Sequence, residues 1–216
     1  MDRAEPGQGP ELAGLTPDLL RFVRTALPPG PARVLEVGAG GGELAAVLRG
    51  DGYDVVAIDP ASESAGVLAV ALGDLDERAG SFDAALAVVS LHHLDPLDAS
   101  CRRLAEVMRP GGRLVVDEFD VERLDDRAAA WWLARREPHD HGPATPVEVV
   151  AGLREHVHPL GRVRTALEEW FALEEAERGP YLHRWSMPPG LREAEAQAIA
   201  AGDIPATGAR MVGMRR

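Results

Sequence analysis

The stretch Val34-Leu35-Glu36-Val37-Gly38-Ala39-Gly40-Gly41-Gly42-Glu43-Leu44 constrains this chain more than any other. A short apolar run enters a glycine cluster and leaves it with helical spacing through Leu44, Val47 and Leu48, which describes a buried strand, a tight loop and a helix. Glycines there open backbone conformations closed to other residues and let a ligand lie against the main chain at a helix N-terminus. The alternation continues. Asp54 to Ile58, Val67 to Leu72, Phe82 to Val89 and Arg113 to Val116 are largely apolar runs, suited to parallel strands buried on both faces. Leu97 to Met108 reads as a helix between the last two, and Arg109-Pro110-Gly111-Gly112 as the breaker that turns the chain into the next strand. Right-handed crossovers assemble such units into one doubly wound α/β sheet.

Thr16-Pro17-Asp18 supplies an N-cap, a proline and a first-turn acid for a helix that should end before Pro28-Pro29. Beyond residue 120 helical segments accumulate, and strand-like sequence returns only at Phe171 to Ala176 and Ala209 to Met214. This predicts a helical cap over 120–170, inserted before the last two strands. Glu122 to Arg136 carries Trp131 and Trp132, which as helix neighbours cannot point the same way, and Thr145-Pro146-Val147-Glu148 has the residues of a capping box. Residues 1–11 are expected to form a flexible tail and 12–216 a single domain. With 216 residues, 45% of them hydrophobic, there is apolar side chain enough for one sheet covered on both faces. Acidic residues outnumber Lys and Arg by 35 to 23, and the formal charge of −12 repels phosphate backbones, so nucleic acid is not an expected partner. Cys101, the one cysteine, falls in a helical pattern with Leu104, Ala105 and Met108, which excludes a disulfide framework and points to a small buried side chain. No run approaches the roughly 18 apolar residues of a membrane span, and the acidic start lacks the regions of a signal peptide. A cytoplasmic protein without a membrane partner is expected; oligomeric state is not legible.

The glycine loop separates two cofactor families. A dinucleotide fingerprint would need glycine at 38, 40 and 43, and position 43 is Glu. Glu36-x-Gly38-x-Gly40-x-Gly42 instead resembles motif I of class I S-adenosylmethionine-dependent methyltransferases, and the resemblance extends over roughly residues 33 to 117. It implies a seven-stranded, mostly parallel sheet with a reversed late strand. It also implies that Gly38, Ala39, Gly40 and Gly42 face the amino acid part of the cofactor, with Glu36 meeting its ammonium group. A carboxylate conflicts less with that ligand than with a pyrophosphate. Asp59, with Pro60 after it, closes the second strand where an acid would accept both ribose hydroxyls. Asp74 and Leu75 resemble the adenine-contacting segment, although the short interval after Asp59 leaves little room for a second helix and makes Asp76 a substitute. Val89 and Ser90 follow at the end of the next strand.

Methyl transfer is an in-line displacement, so holding the acceptor close and aligned is the main task of the protein. A base matters when the acceptor must lose a proton. Ser90-Leu91-His92-His93 lies at a strand's carboxyl end, and His93, before His92, is the candidate base; the alternative is that both histidines pack or orient backbone. Glu118, among the acids Asp117, Glu118 and Asp120, either assists a base or binds a cation, or else begins the next helix. No metal is expected: the histidines stand where an oxygen ligand would be useful, and His139-Asp140-His141 and His156-x-His158 lack a further ligand set. Trp170, Tyr181, His183 and Trp185 either seal the core or shape an acceptor site. Methylation of a small molecule at oxygen or nitrogen is the activity this reading supports. A binding module without transfer, a protein methyltransferase and a nicotinamide-binding reductase stay open. Nucleic-acid methylation is disfavoured by charge and by the lack of an Asn/Asp-Pro-Pro-aromatic segment at 90–93.

Overall fold

A computed structural model describes residues 15–136, 143–185, Pro188 and 190–216. The expected tail over 1–11 and the His139-Asp140-His141 group lie outside the described residues. Thr16 accepts a hydrogen bond from the Leu19 amide and caps α1 (Pro17–Ala26), whose apolar stripe Leu19, Val23 and Ala26 is buried. Then follow β1 (Arg33–Val37), α2 (Glu43–Gly50), β2 (Asp54–Ile58), β3 (Phe82–Val88), α3 (Leu97–Val107) and β4 (Met108–Phe119). The C-terminal part contributes α4 (Asp126–Leu133), α5 (Pro146–His156), α6 (Leu160–Glu168), β5 (Phe171–Leu173), β6 (Glu177–Gly179), α7 (Leu191–Ala201) and β7 (Gly208–Arg215).

The strands form one seven-stranded sheet in the order β2-β1-β3-β4-β7-β5, with β6 beside β5 on the same edge of β7. The pairs from β2 to β4 are parallel, and β7 is antiparallel to β4, β5 and β6, so it alone runs against the rest. Side-chain alternation divides the core. Leu35, Val37, Ala85, Ala87, Leu114 and Val116 pack with α3 and α6, whereas Val34, Ala84, Leu86 and Val115 pack with α1 and α2. Cys101 is buried in the first of these layers.

Four local departures from the expected pattern have physical causes. Val67 to Leu72 is not a strand: Leu68 makes a single parallel bridge with Ile58, and the chain goes on to a 3-10 turn at Leu72–Asp74. A parallel crossover takes a dozen or more residues, and the connection after Asp59 is filled by turns closed by Ser62 and Val67 amides, so β2 gains only this bridge on its outer edge among the described residues and Leu68 stays exposed. The segment Arg109-Pro110-Gly111-Gly112 lies inside β4, where it makes a register shift opposite Phe82 and Ala84 rather than a turn. The strand expected at Phe171 to Ala176 is interrupted, β5 and β6 pairing with β7 in registers that differ by one residue. Finally, α6 packs against α3 beneath the sheet. The separate cluster above the sheet joins α4, α5, Tyr181, Leu182 and Ile204, with Ala194, Ala198 and Ile199 of α7 against it. Thr145 and Glu148 make the expected capping box on α5. Trp131 is buried, while half-buried Trp132 donates its indole N–H to the Trp185 carbonyl at 2.9 Å. Trp170 packs against the sheet's α3 layer, and Tyr181 and Trp185 belong to the cap.

Candidate active site

Strand ends β1, β2 and β3 meet at the glycine loop. The Gly38 and Ala39 amides donate to the Ile58 carbonyl at 2.9 and 3.0 Å, folding the loop back over β2. Gly38 has φ +71°, and a Cβ there would stand 2.2 Å from the Ser90 Cβ. The loop therefore approaches the β3 end more closely than any side chain permits, and the Ser90 hydroxyl completes the contact by donating to the Val37 carbonyl at 2.7 Å. Asp59 clamps the other side: its Oδ2 accepts the Gly40 amide and its Oδ1 the Ala61 amide, both at 2.9 Å. Ser62 donates to the Gly40 carbonyl at 2.6 Å.

Beyond this loop is a cleft of about 770 Å³, within the range of small-ligand sites. Of the residues expected at a cofactor, Gly38, Asp59, Pro60, Asp74, Val89 and Ser90 line it, and so does His93. Glu36, Ala39, Gly40, Gly42, Leu75, His92 and Glu118 do not. Ala39, Gly40 and Gly42 shape the loop behind the wall, Gly42 with φ +83° at the N-terminus of α2. Leu75 departs from its expected role because its side chain is in the core and its amide turns back to the Leu72 carbonyl. Unforeseen parts of the wall are Val70, Ala71 and Leu72 and one face of α3, including Ala99, Arg102, Arg103 and Glu106. Their spacing of three and four residues was visible, but the charged members also suit a solvated face. Arg103 instead reaches across to the Leu75 and Glu77 carbonyls at 2.6 and 2.9 Å.

Glu118 does not face the cleft. It is fully buried on β4, its Oε1 accepting the Ser90 and Leu91 amides at 2.9 and 2.6 Å, its Oε2 accepting the Phe119 amide and contacting His92 Nδ1 at 2.5 Å. The carboxylate thus holds the 3-10 turn Leu91–His93, and His92 is buried with it. Val89, just before, has φ +57°, a strained conformation for a β-branched residue; its amide donates to the Asp117 carbonyl at 2.8 Å. The outcome is that His93 alone of the pair faces the cleft. Partial burial, and secondly the neighbouring His92, hold its pKa below the usual imidazole value. The remaining expected acids are paired: Asp117 with Arg184 and Arg210, Asp120 with Arg178. His158 Nε2 contacts the Leu94 carbonyl at 3.0 Å and His156 Nδ1 the Gly152 carbonyl at 2.6 Å. Among the described residues no group of three or more His, Cys, Asp or Glu is placed to hold a metal, and no helix is long and apolar enough to cross a membrane.

Glu36 alternates onto the α2 side of β1, and its Oε2 is buried without a hydrogen-bond partner among the described residues. Burial pushes its pKa up to about 8, against the pull of Arg49 and the Ala45 amide. Below the unfolded value both states are protonated and the residue is neutral in the balance. As pH rises from that value to about 8 the unfolded state gives up its proton first, so stability falls, and the loss is complete above about 8. Glu36→Gln is therefore expected to flatten this pH dependence and to be more stable than the parent at pH ~9, by about 4 kcal/mol. Urea unfolding at pH ~5 and ~9 checks this; equal slopes for parent and variant contradict it.

Open doubly wound sheets bind their ligands in the crevice at the carboxyl ends of the strands, and the cleft lies there. Residues 12–153 match the family model described as "Methyltransferase domain". The chain belongs to that family. A ubiquinone biosynthesis O-methyltransferase of Xanthomonas axonopodis pv. citri is 37% identical over 129 residues, covering 52% of this chain and 54% of that protein. The chain thus spans about half the length of that relative. Among solved structures, an S-adenosylmethionine-dependent methyltransferase from Mesorhizobium loti superposes with TM-score 0.58 at 17% identity, over 89% of this chain and 95% of the other. The cyclase SpnF does so with TM-score 0.61 at 19% identity, over 92% and 80%. At such identities the two establish the fold. S-adenosylmethionine is the cofactor of the family, and the cleft fits it: among the described residues no atom lies within 4 Å of a Cβ built on Gly73, which leaves open backbone in the wall beside Asp74.

Proposed function

We propose that this protein transfers the methyl group of S-adenosylmethionine to a small-molecule acceptor at oxygen or nitrogen. The observation that carries the reading is the clamp of Asp59 on the glycine loop at the edge of the 770 Å³ cleft. Each Asp59 oxygen accepts one amide, and a carboxylate has about four lone-pair sites, so capacity remains for two ribose hydroxyls. Asp74 would take the exocyclic amine of adenine beside Gly73, and Gly38 with the Ser90 segment would border the amino acid part. When bound, the cofactor supplies an electrophilic methyl on a positively charged sulfur. The remaining work falls to the chain: it excludes water, orients the acceptor, and takes up the acceptor's proton at His93. His92 and Glu118 act through position, holding the turn that presents His93. The relative named for ubiquinone biosynthesis supports oxygen as the accepting atom.

The test is methyl transfer from labelled cofactor to a panel of phenols and amines. His93→Ala is expected to bind S-adenosylhomocysteine as the parent does and to lose about 10²- to 10⁴-fold in turnover. Full turnover in the variant removes His93 from catalysis. A parent that binds the product yet labels no acceptor would be a passive module, a reading SpnF keeps in view because one fold serves several chemistries.

A further inference from the structure

Gly73 and Asp74 line the cleft from a stretch of chain that belongs to no strand. Between the end of β2 at Ile58 and the start of β3 at Phe82 the chain makes one parallel bridge, Leu68 to Ile58, and then the 3-10 turn Leu72–Asp74. Leu72 and Leu75 anchor that turn by burying their side chains in the core. Its backbone bonds are local: the Asp74 amide donates to the Ala71 carbonyl, the Leu75 amide to Leu72 and the Glu77 amide to Leu75. Apolar burial is non-directional, so it sets the depth of the turn and not the aim of its polar groups.

The directional contacts come from α3. Arg103 Nη2 donates to the Leu75 carbonyl at 2.6 Å and to the Glu77 carbonyl at 2.9 Å. Among the described residues these are the only hydrogen bonds that reach the backbone of 72–77 from another element. The Glu106 carboxylate lies 3.6 Å from Arg103 Nη1, and the Glu106 carbonyl accepts the Gly80 amide at 2.9 Å, so α3 holds the crossover at two places. Arg33 of β1 takes the Glu77 carboxylate at 2.7 and 3.0 Å from the sheet side. A guanidinium suits the work of Arg103, because it is always charged and its planar fork fixes direction, and a charged donor makes the stronger hydrogen bond. Arg103 lines the cleft together with Gly73 and Asp74.

We infer that Arg103 is a positioning residue for the base of the cofactor: by holding the Leu75 and Glu77 carbonyls it sets where Gly73 and Asp74 stand, and so makes the cleft select an amino-substituted purine over an oxo-substituted one. The inference rests on the reading that Asp74 takes the exocyclic amine of adenine. It assigns to a helix side chain the bracing that a strand pair gives elsewhere in the sheet. No step of the transfer is assigned to Arg103.

The experiment is calorimetric titration of the full chain with S-adenosylhomocysteine and with S-inosylhomocysteine, in which an oxygen replaces the exocyclic amine. The parent is expected to prefer the adenine compound at least about ten-fold, and Arg103→Met to keep less than about three-fold of preference. Arg103→Gln, polar but too short to reach both carbonyls, carries the same expectation and decides the matter where Arg103→Met does not fold. Asp74→Ala is expected to lose the preference, and Arg103→Met added to it to lower the preference no further. An arginine that only supports the fold would weaken both ligands by one factor and leave their ratio at the parent value. That result, or losses that add in the double variant, overturns the inference alone. A parent that binds the two compounds equally removes the adenine reading of Asp74, and the inference with it.

Discussion

Glu118→Ala is expected to lower stability by about 4 kcal/mol and to abolish cofactor binding, although the residue does not line the cleft. The size follows from what the carboxylate satisfies: three backbone amides and His92 Nδ1, in a place with no solvent access. Removing one partner of a buried charged network costs about 3–5 kcal/mol, because the other groups are left desolvated and unpaired. The turn that would lose its support is Leu91–His93, together with Ser90, whose hydroxyl holds the end of β1. Glu118→Gln retains an acceptor for the Ser90 and Leu91 amides and is expected to recover most of the stability. Chemical denaturation of the cofactor-free protein is the readout, since a purely catalytic carboxylate would leave it unmoved. Unchanged stability in Glu118→Ala would restore Glu118 to the chemistry.

Gly38→Ala should be nearly as severe. Its φ of +71° costs an alanine about 1–2 kcal/mol, and the Cβ would lie 2.2 Å from the Ser90 Cβ, an overlap worth about 1–3 kcal/mol more. The strain falls on the wall of the cleft, so S-adenosylhomocysteine affinity is expected to fall at least about 100-fold, from that same strain. Gly152→Ala is the control: it sits within α5 with nothing among the described residues within 4 Å of its would-be Cβ, and should stabilise the helix by up to ~1 kcal/mol. Calorimetric titration and thermal unfolding of both variants separate the two effects. Wild-type affinity in Gly38→Ala would mean that the loop does not border the ligand.

These two residues also mark how far the sequence could be read. Gly38 was legible because a strand running into glycines has few structural uses, and the period of the apolar runs located β1, β2, β3 and α3 closely. The third strand was not legible as a loss. Val67 to Leu72 has the composition of a strand, and only the length of the crossover decides against it. Glu118 illustrates a different limit. A carboxylate at a strand end looks the same in sequence whether it faces a substrate or a ring of amides, and only the fold sets the Ser90 turn at the end of β3 beside Glu118 on the neighbouring β4. His183 reads as core before pocket, and its partner Glu195, on a helix twelve residues away, is not legible from the local pattern. Interactions that depend on period and local turn chemistry were readable; those made between distant segments were not.

The central claim is that the glycine loop and Asp59 hold an adenosyl cofactor, and titration of S-adenosylhomocysteine into the parent and Asp59→Ala proteins tests it most directly. The expected result is one site per chain in the parent and an affinity at least about ten-fold weaker in the variant, with both proteins folded by circular dichroism. Equal binding in the two, or no heat of binding from a folded parent at saturating ligand, would contradict the account.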